Sequence, residues 1–240
     1  MGTSTDYTAP PNWGSLKRNV THSARRPLNP KRIRKLLRDQ VTQNGGSRAI
    51  ASGRGLLGRG STSNQIAGAF NTFVRQVADV GLPEALHQNG LGSLVGHSIP
   101  EILLGILSLC GGNDGAFNSV DSRNAFSRVM DELCSVTETV NELQTILSAL
   151  ADAPQMVEFV KSFFSYCLFE QFCRVFFKQL IQKHGNDKAI SFLNDILDYI
   201  KSCIQNTTVE VHVTNIDWFG PEGERIASQI VQDILTVFES

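Results

Sequence analysis

MVEFVKSFFSYCLFEQFCRVFFKQLIQKH, residues 156–184, is the most apolar stretch of this 240-residue chain. Phe159, Phe163, Phe164, Leu168, Phe169, Phe172, Phe176 and Leu180 recur at helical spacing, yet they cover more than one face. A helix of that kind must be covered on several sides, so the segment is expected to be the central helix of the fold. Ser165, Glu170, Gln171 and Arg174 interrupt it, and no run of about 18 apolar residues occurs, so no membrane span is expected. Pro154 suits the first turn of this helix. After it, Asn186 to Ile204 carries Ile190, Leu193, Ile196, Leu197 and Ile200 as a stripe. Before it, Asp121 to Ala149 reads as one or two helices with Phe126, Val129, Met130, Leu133, Val140, Leu143 and Leu147 inward. Further upstream, Ile66, Phe70, Phe73, Val74 and Val77 keep helical spacing from Asn64 until Gly81 stops it. Shorter elements follow near Leu82 to Gln88 and Ile99 to Cys110, with a Gly-rich loop at 111–115.

These patterns predict a mainly α fold, a single helical body over residues 64–240. Val209, Val211 and Val213 alternate with Glu210 and His212, which is strand periodicity. One short β segment is therefore expected at 208–213, with no pairing partner identifiable. Gly220-Pro-Glu-Gly223 then precedes a last helix carrying Ile226, Ile230, Ile234, Leu235 and Phe238.

Residues 1–63 differ in character and are expected to form a flexible basic N-terminal arm. They hold 12 Lys or Arg against Asp6 and Asp39, a balance of +10, which leaves −11 for the rest. Residues 1–28 show little apolar periodicity and predict disorder in isolation. Asn29-Pro30 supplies an N-cap and first-turn proline for a short helix, Lys31 to Gln43, ended by Gly45-Gly46. Gly, Ser and Arg dominate residues 44–63, which read as a second flexible link. Arg25, Arg26, Lys31, Arg32, Arg34, Lys35 and Arg38 are candidate phosphate contacts for nucleic acid. Tyr7 and Trp13 are the only aromatics nearby, so such binding would be weak and salt-dependent.

Few residues point to catalysis. Gly53-Arg-Gly-Leu-Leu-Gly58 matches the letters of a dinucleotide fingerprint, but polar Ser47 to Ser52 stands where a buried strand is required. No phosphate-binding loop with Lys-Ser/Thr and no Ser nucleophile elbow occurs. His22, His87, His97, His184 and His212 lack metal-ligand spacing, so no metal site is expected. Cys110, Cys134, Cys167, Cys173 and Cys203 lie in apolar stretches without a C-x-x-C pair, as expected of reduced thiols in a cytoplasmic protein. The start carries no apolar segment of the kind that directs export. A non-enzymatic binding protein is the expectation.

Gly2 stands apart. A small second residue permits removal of Met1, and the exposed glycine amine would titrate near ~7.7–8.0, leaving a nucleophilic fraction at cellular pH. Myristoylation requires Ser or Thr at position six, where this chain has Asp6.

Met1-Gly-Thr-Ser4, Gly81-Leu-Pro-Glu-Ala-Leu86 with Gly90-Leu-Gly-Ser-Leu-Val-Gly96, Phe169-Glu-Gln-Phe-Cys-Arg-Val-Phe176 and Ile216-Asp-Trp-Phe-Gly-Pro-Glu-Gly223 together resemble the QatB family of bacterial Qat anti-phage defence systems. The resemblance implies an operon with an ATPase, a QueC-like enzyme and a TatD-like nuclease. QueC enzymes activate a 7-carboxy-7-deazaguanine with ATP and amidate it. On that footing Gly2 is the expected acceptor of a covalent 7-deazaguanine, with Gly2, Thr3 and Ser4 entering the partner's pocket and no cofactor bound by the chain itself. Two other roles fit the sequence: an adaptor carrying nucleic acid to the nuclease through the cations of residues 25–38, and a scaffold for the ATPase.

Overall fold

A computed structural model describes residues 13–51, 55–57, 61–111 and 117–206, with 229, 232 and 235–238 near the C-terminus. In chain order the helices are α1 (Trp13–Ser23), α2 (Pro30–Gln43), α3 (Gly46–Ala51), α4 (Thr62–Val80) and α5 (Leu82–Gln88). A 3-10 turn (Gly92–Leu94) leads to α6 (Ile99–Cys110), α7 (Phe117–Ser135), α8 (Val140–Ala149), α9 (Ala153–His184) and α10 (Asn186–Gln205). No strand occurs among the described residues. The fold is thus a single helical domain, as the periodicity predicts; the strand expected at 208–213 lies outside the described residues.

α9 runs 32 residues, about 48 Å at 1.5 Å per residue. Asp152 precedes it as N-cap, Pro154 occupies its first turn, and Gly185 (φ 80°) ends it in a conformation that favours glycine. From Phe163 to Phe172 every side chain is buried, because α7 and α10 flank the helix and α4 packs on it, and α1 lies on its C-terminal part. The centre is aromatic. Phe70 of α4 stacks on Phe159 at 4.5 Å between centroids, and Phe126 of α7 meets Phe70 and Phe163 edge-on at 5.3 and 5.9 Å. Offset and edge-to-face contacts of this kind add about 0.5–1.5 kcal/mol per pair beyond area burial.

The expected break between helices in 121–149 falls at residues 136–139. There Thr139 caps α8 by accepting from the Glu142 amide at 3.2 Å, while Glu142 Oε2 accepts from the Thr139 amide at 3.3 Å. At α6, Glu101 Oε2 accepts from the Ser98 hydroxyl at 2.6 Å and the Ser98 amide at 3.0 Å.

Two expectations for the N-terminal quarter are corrected. Residues 13–23 of the presumed disordered tail are helical, because Trp13, Leu16 and Val20 form a buried stripe against α9. The second flexible link also contains ordered, buried chain: α3 with Ile50, then Leu56 and Leu57. The Leu57 amide donates to Ile50 O (3.0 Å) and the Ser63 hydroxyl to Leu56 O (2.5 Å). A Cβ at Gly55 would press into the carbonyls of Ala49 and Ile50, so close backbone approach explains this glycine without a dinucleotide. The arm over 1–63 is therefore packed from Trp13 through α3, while residues 1–12 lie outside the described part. α2 itself is as expected: Asn29 Oδ1 accepts from the Arg32 amide at 2.9 Å ahead of Pro30.

Two outcomes are expected. Leu16→Ala should lower the unfolding free energy by about 2–5 kcal/mol in urea denaturation, since the side chain is enclosed; an unchanged midpoint would return α1 to a solvated arm. The Ser98 hydroxyl, the Ser98 amide and His97 hold the Glu101 carboxyl down, from an ordinary 4.5 to about 2. A depressed acid pKa means that this cap's contribution is complete above the ordinary value and is lost as pH falls toward 2. A carboxyl titration of Glu101 by NMR with its midpoint above 4 would contradict that cap.

Candidate partner-binding site

Chain direction fixes what the N-terminal segment offers a partner. Trp13, 4% exposed, lies against Phe176 of α9 at 6.3 Å between ring centroids. Gln179 Nε2 donates to the Thr21 hydroxyl at 2.7 Å, and His184 Nε2 lies 2.9 Å from Thr21 O. Both ends of α1 are thereby tied to the C-terminal half of α9. Gly2, Thr3 and Ser4 lie outside the described residues, and Gly2 stands eleven positions before Trp13.

The cationic candidates divide by position. Arg25 and Arg26 are exposed in the turn before α2, and Lys31, Lys35 and Arg38 are exposed along its outer face. Arg32 is partly covered and reaches Pro27 O at 3.5 Å. Arg34 points the other way, donating from Nη2 to Val237 O at 3.1 Å. It fastens α2 to the C-terminal residues 235–238, whose Leu235 and Phe238 are buried. Arg34 therefore serves the fold, a role its place within a basic run concealed.

A polar seam missed by sequence reading joins α7, α9 and α10. Arg174 Nε donates to both oxygens of Asp121, at 3.1 and 2.9 Å, and Asp121 is 2% exposed. Arg128 Nε donates to Glu170 at 2.5 Å and its guanidinium lies 5.1 Å from the Phe169 ring centroid. Tyr166 OH donates to Glu132 at 2.5 Å, and Lys201 Nζ donates to both Glu132 and Tyr166, each at 2.6 Å. Burial pushes Asp121 above the ordinary carboxylate range while the Arg174 charge pulls it back. Burial and the Glu132 hydrogen bond raise Tyr166. Burial alone would lower Lys201, but its hydrogen bonds to Glu132 and Tyr166 raise it. Both groups thus keep their protons at neutral pH, which suits a structural tie rather than a base or nucleophile. The only sequence signal was the interruption of an apolar helix by Glu170 and Arg174.

The cysteines are all free. Burial drives the Cys110 and Cys173 thiols up to about 12 and Cys167 well above the ordinary value, so none of these three offers a thiolate at neutral pH. Among the described residues no group of His, Cys, Asp or Glu could hold a metal, and no helix is long and apolar enough to cross a membrane. An open groove of about 530 Å³ lies where the ends of α7 and α8 meet the start of α9. Its lining, including Leu133, Val136, Leu150 and Phe159, is mostly apolar.

These features define a protein whose described residues form one helical domain, with a cationic N-terminal helix held on an acidic body. The family model described as "Qat anti-phage system associated protein QatB" matches residues 45–238, so the chain belongs to the QatB family. It is therefore a component of an anti-phage defence system. No curated protein and no solved structure matches the chain.

The family match covers the body and starts after α2. Within it, the segments that carry the resemblance serve packing. Gly81 (φ 83°) joins α4 to α5, where the Leu82 amide donates to Gln144 Oε1 at 2.9 Å. A Cβ at Gly92 would meet the exposed His87 ring, which would have to turn aside to admit it. Phe169, Phe172 and Phe176 lie in the core, and Ile216 to Gly223 lies outside the described residues.

Arg174→Met should cost about 3–5 kcal/mol by leaving the buried Asp121 unpaired. Adding Asp121→Asn should recover much of it, because the penalty belongs to the orphaned charge. Equal midpoints for the single and double variants in urea would contradict the pairing.

Proposed function

We propose that this protein is the substrate of a QueC-like enzyme of the same defence system, which joins a 7-deazaguanine to the Gly2 amine after Met1 is removed. The partner's ATP-activated 7-carboxy-7-deazaguanine takes the place of the adduct precursor. The amine attacks the activated carbonyl, an amide bond forms, the activating group leaves and the amine's extra proton passes to solvent. The catalytic chemistry resides in the partner, and this chain supplies the nucleophile and its presentation.

One observation carries the reading: the clamp of Trp13 on α9. With α1 fixed there, any conformation of the preceding residues keeps the Gly2 amine within about 40 Å of Trp13, at no more than ~3.6 Å per residue. The body can therefore dock on the partner while the terminus enters a pocket. Gly2, Thr3 and Ser4 are small enough for a narrow entrance, and the amine has a nucleophilic fraction at cellular pH.

Intact mass of the protein purified from phage-resistant cells carrying the whole operon tests this. The expected spectrum lacks Met1 and carries one deazaguanine acyl group, which Gly2→Trp abolishes together with protection. An unmodified terminus in protected cells would overturn the proposal. Protection that survives Gly2→Trp would favour one of the other roles, the adaptor for the TatD-like nuclease or the scaffold for the ATPase.

A further inference from the structure

α2 has two unlike faces. Ile33, Leu36, Leu37, Gln40 and Val41 are buried, whereas Lys31, Lys35 and Arg38 fall on the opposite side within about 60° of arc at 100° per residue. These three span roughly 10 Å of helix axis. Arg25 and Arg26, exposed in the turn before α2, extend the series beyond its N-terminal end. No side chain of the five takes part in an ion pair or hydrogen bond among the described residues, in contrast to those of Arg34, Arg128 and Arg174. The arrangement leaves five hydrated cations in one region of a chain whose residues beyond 60 sum to −11.

What such a face binds is narrowed by what surrounds it. Protein interfaces are built on an apolar core depleted in lysine, and none of the exposed large hydrophobic residues falls within residues 13–51. Single-stranded nucleic acid is held by stacking on aromatic rings, and the only Phe, Tyr or Trp in residues 13–51 is Trp13, which is buried. A duplex needs neither. It presents about one negative charge per 1.7 Å of axis and is gripped through phosphates by Lys and Arg alone.

We propose that the outer face of α2, with Arg25 and Arg26, binds the phosphate backbone of a nucleic-acid duplex without reading its sequence. The acidic body repels the duplex elsewhere and turns the α2 face toward it. This contact is independent of the Gly2 reading, because it uses neither the terminal amine nor its chemistry.

Fluorescence anisotropy with the full chain and short labelled duplex DNA, duplex RNA and single-stranded DNA, over a range of salt, tests it. The expected result is binding to both duplexes within a few-fold of each other, tighter than to the single strand. A plot of log affinity against log salt should have a slope of about −2.7 to −4.5, from three to five phosphate contacts. The triple variant Lys31→Gln/Lys35→Gln/Arg38→Gln should lose at least tenfold in affinity and about 2.7 from the magnitude of that slope, with its melting temperature unchanged. Unaltered binding by the triple variant, or preference for the single strand, would overturn the proposal. So would binding to only one duplex type, since the contact is to phosphates alone. Competition by polyglutamate as effective as by duplex would instead assign the face to an acidic polypeptide.

Discussion

The desolvation of α9 is the constraint on which the other helices depend. A 32-residue helix with phenylalanines around its circumference cannot exist in water without cover, and α1, α4, α7 and α10 supply that cover. Each covering helix is amphipathic, so each needs α9 as much as α9 needs it. The stack of Phe70, Phe126, Phe159 and Phe163 marks the point where three of these helices meet. Burial of the four rings there contributes about 1.5–3 kcal/mol per enclosed side chain.

Apolar burial alone does not fix how long helices slide or rotate against one another. The polar groups on α9 do this, because their partners on the neighbouring helices sit at fixed positions. Asp121 meets Arg174, Glu170 meets Arg128, and Tyr166 shares Glu132 with Lys201. Lys161 Nζ reaches Glu158 at 2.9 Å and Gln205 O at 3.4 Å, fastening α10's last turn. A shift of α7 by one turn would leave buried charges unpaired, a cost of several kcal/mol each. The groups that break the apolar pattern of α9 thus set its alignment with α7 and α10.

Much of this was legible in the sequence. From Asn64 to Gln205 the helices follow the apolar periods, with Gly81 and Pro154 marking ends; the caps at Thr139 and Gly185 were read only from the structure. What the sequence hid was tertiary. Trp13, Leu16 and Val20 are three apolar residues diluted among polar ones, and their stripe gains meaning only when α9 offers a surface. Leu56 and Leu57 sit between glycines in a stretch whose composition suggests a linker, yet they fill the core. Arg34 is indistinguishable by type from Lys31 or Lys35; the difference lies in the C-terminal segment packed beside it. For the candidate site, the cationic run was legible and its division into fold-serving and exposed members was not. Gly2 was singled out by chemistry and by resemblance, and its role is a proposal about a partner.

The proposed role of Gly2 needs α1 to be a fixed part of the body, since only then does chain length confine the terminal amine within a set reach of α9. Native-state amide hydrogen exchange on the full chain measures this directly. The account predicts that the amides from Leu16 to Val20 are protected in the native state along with those from Phe163 to Phe172, the latter opening only with global unfolding. Exchange of Leu16 to Val20 at the rate of an unstructured peptide, while α9 stays protected, would contradict it.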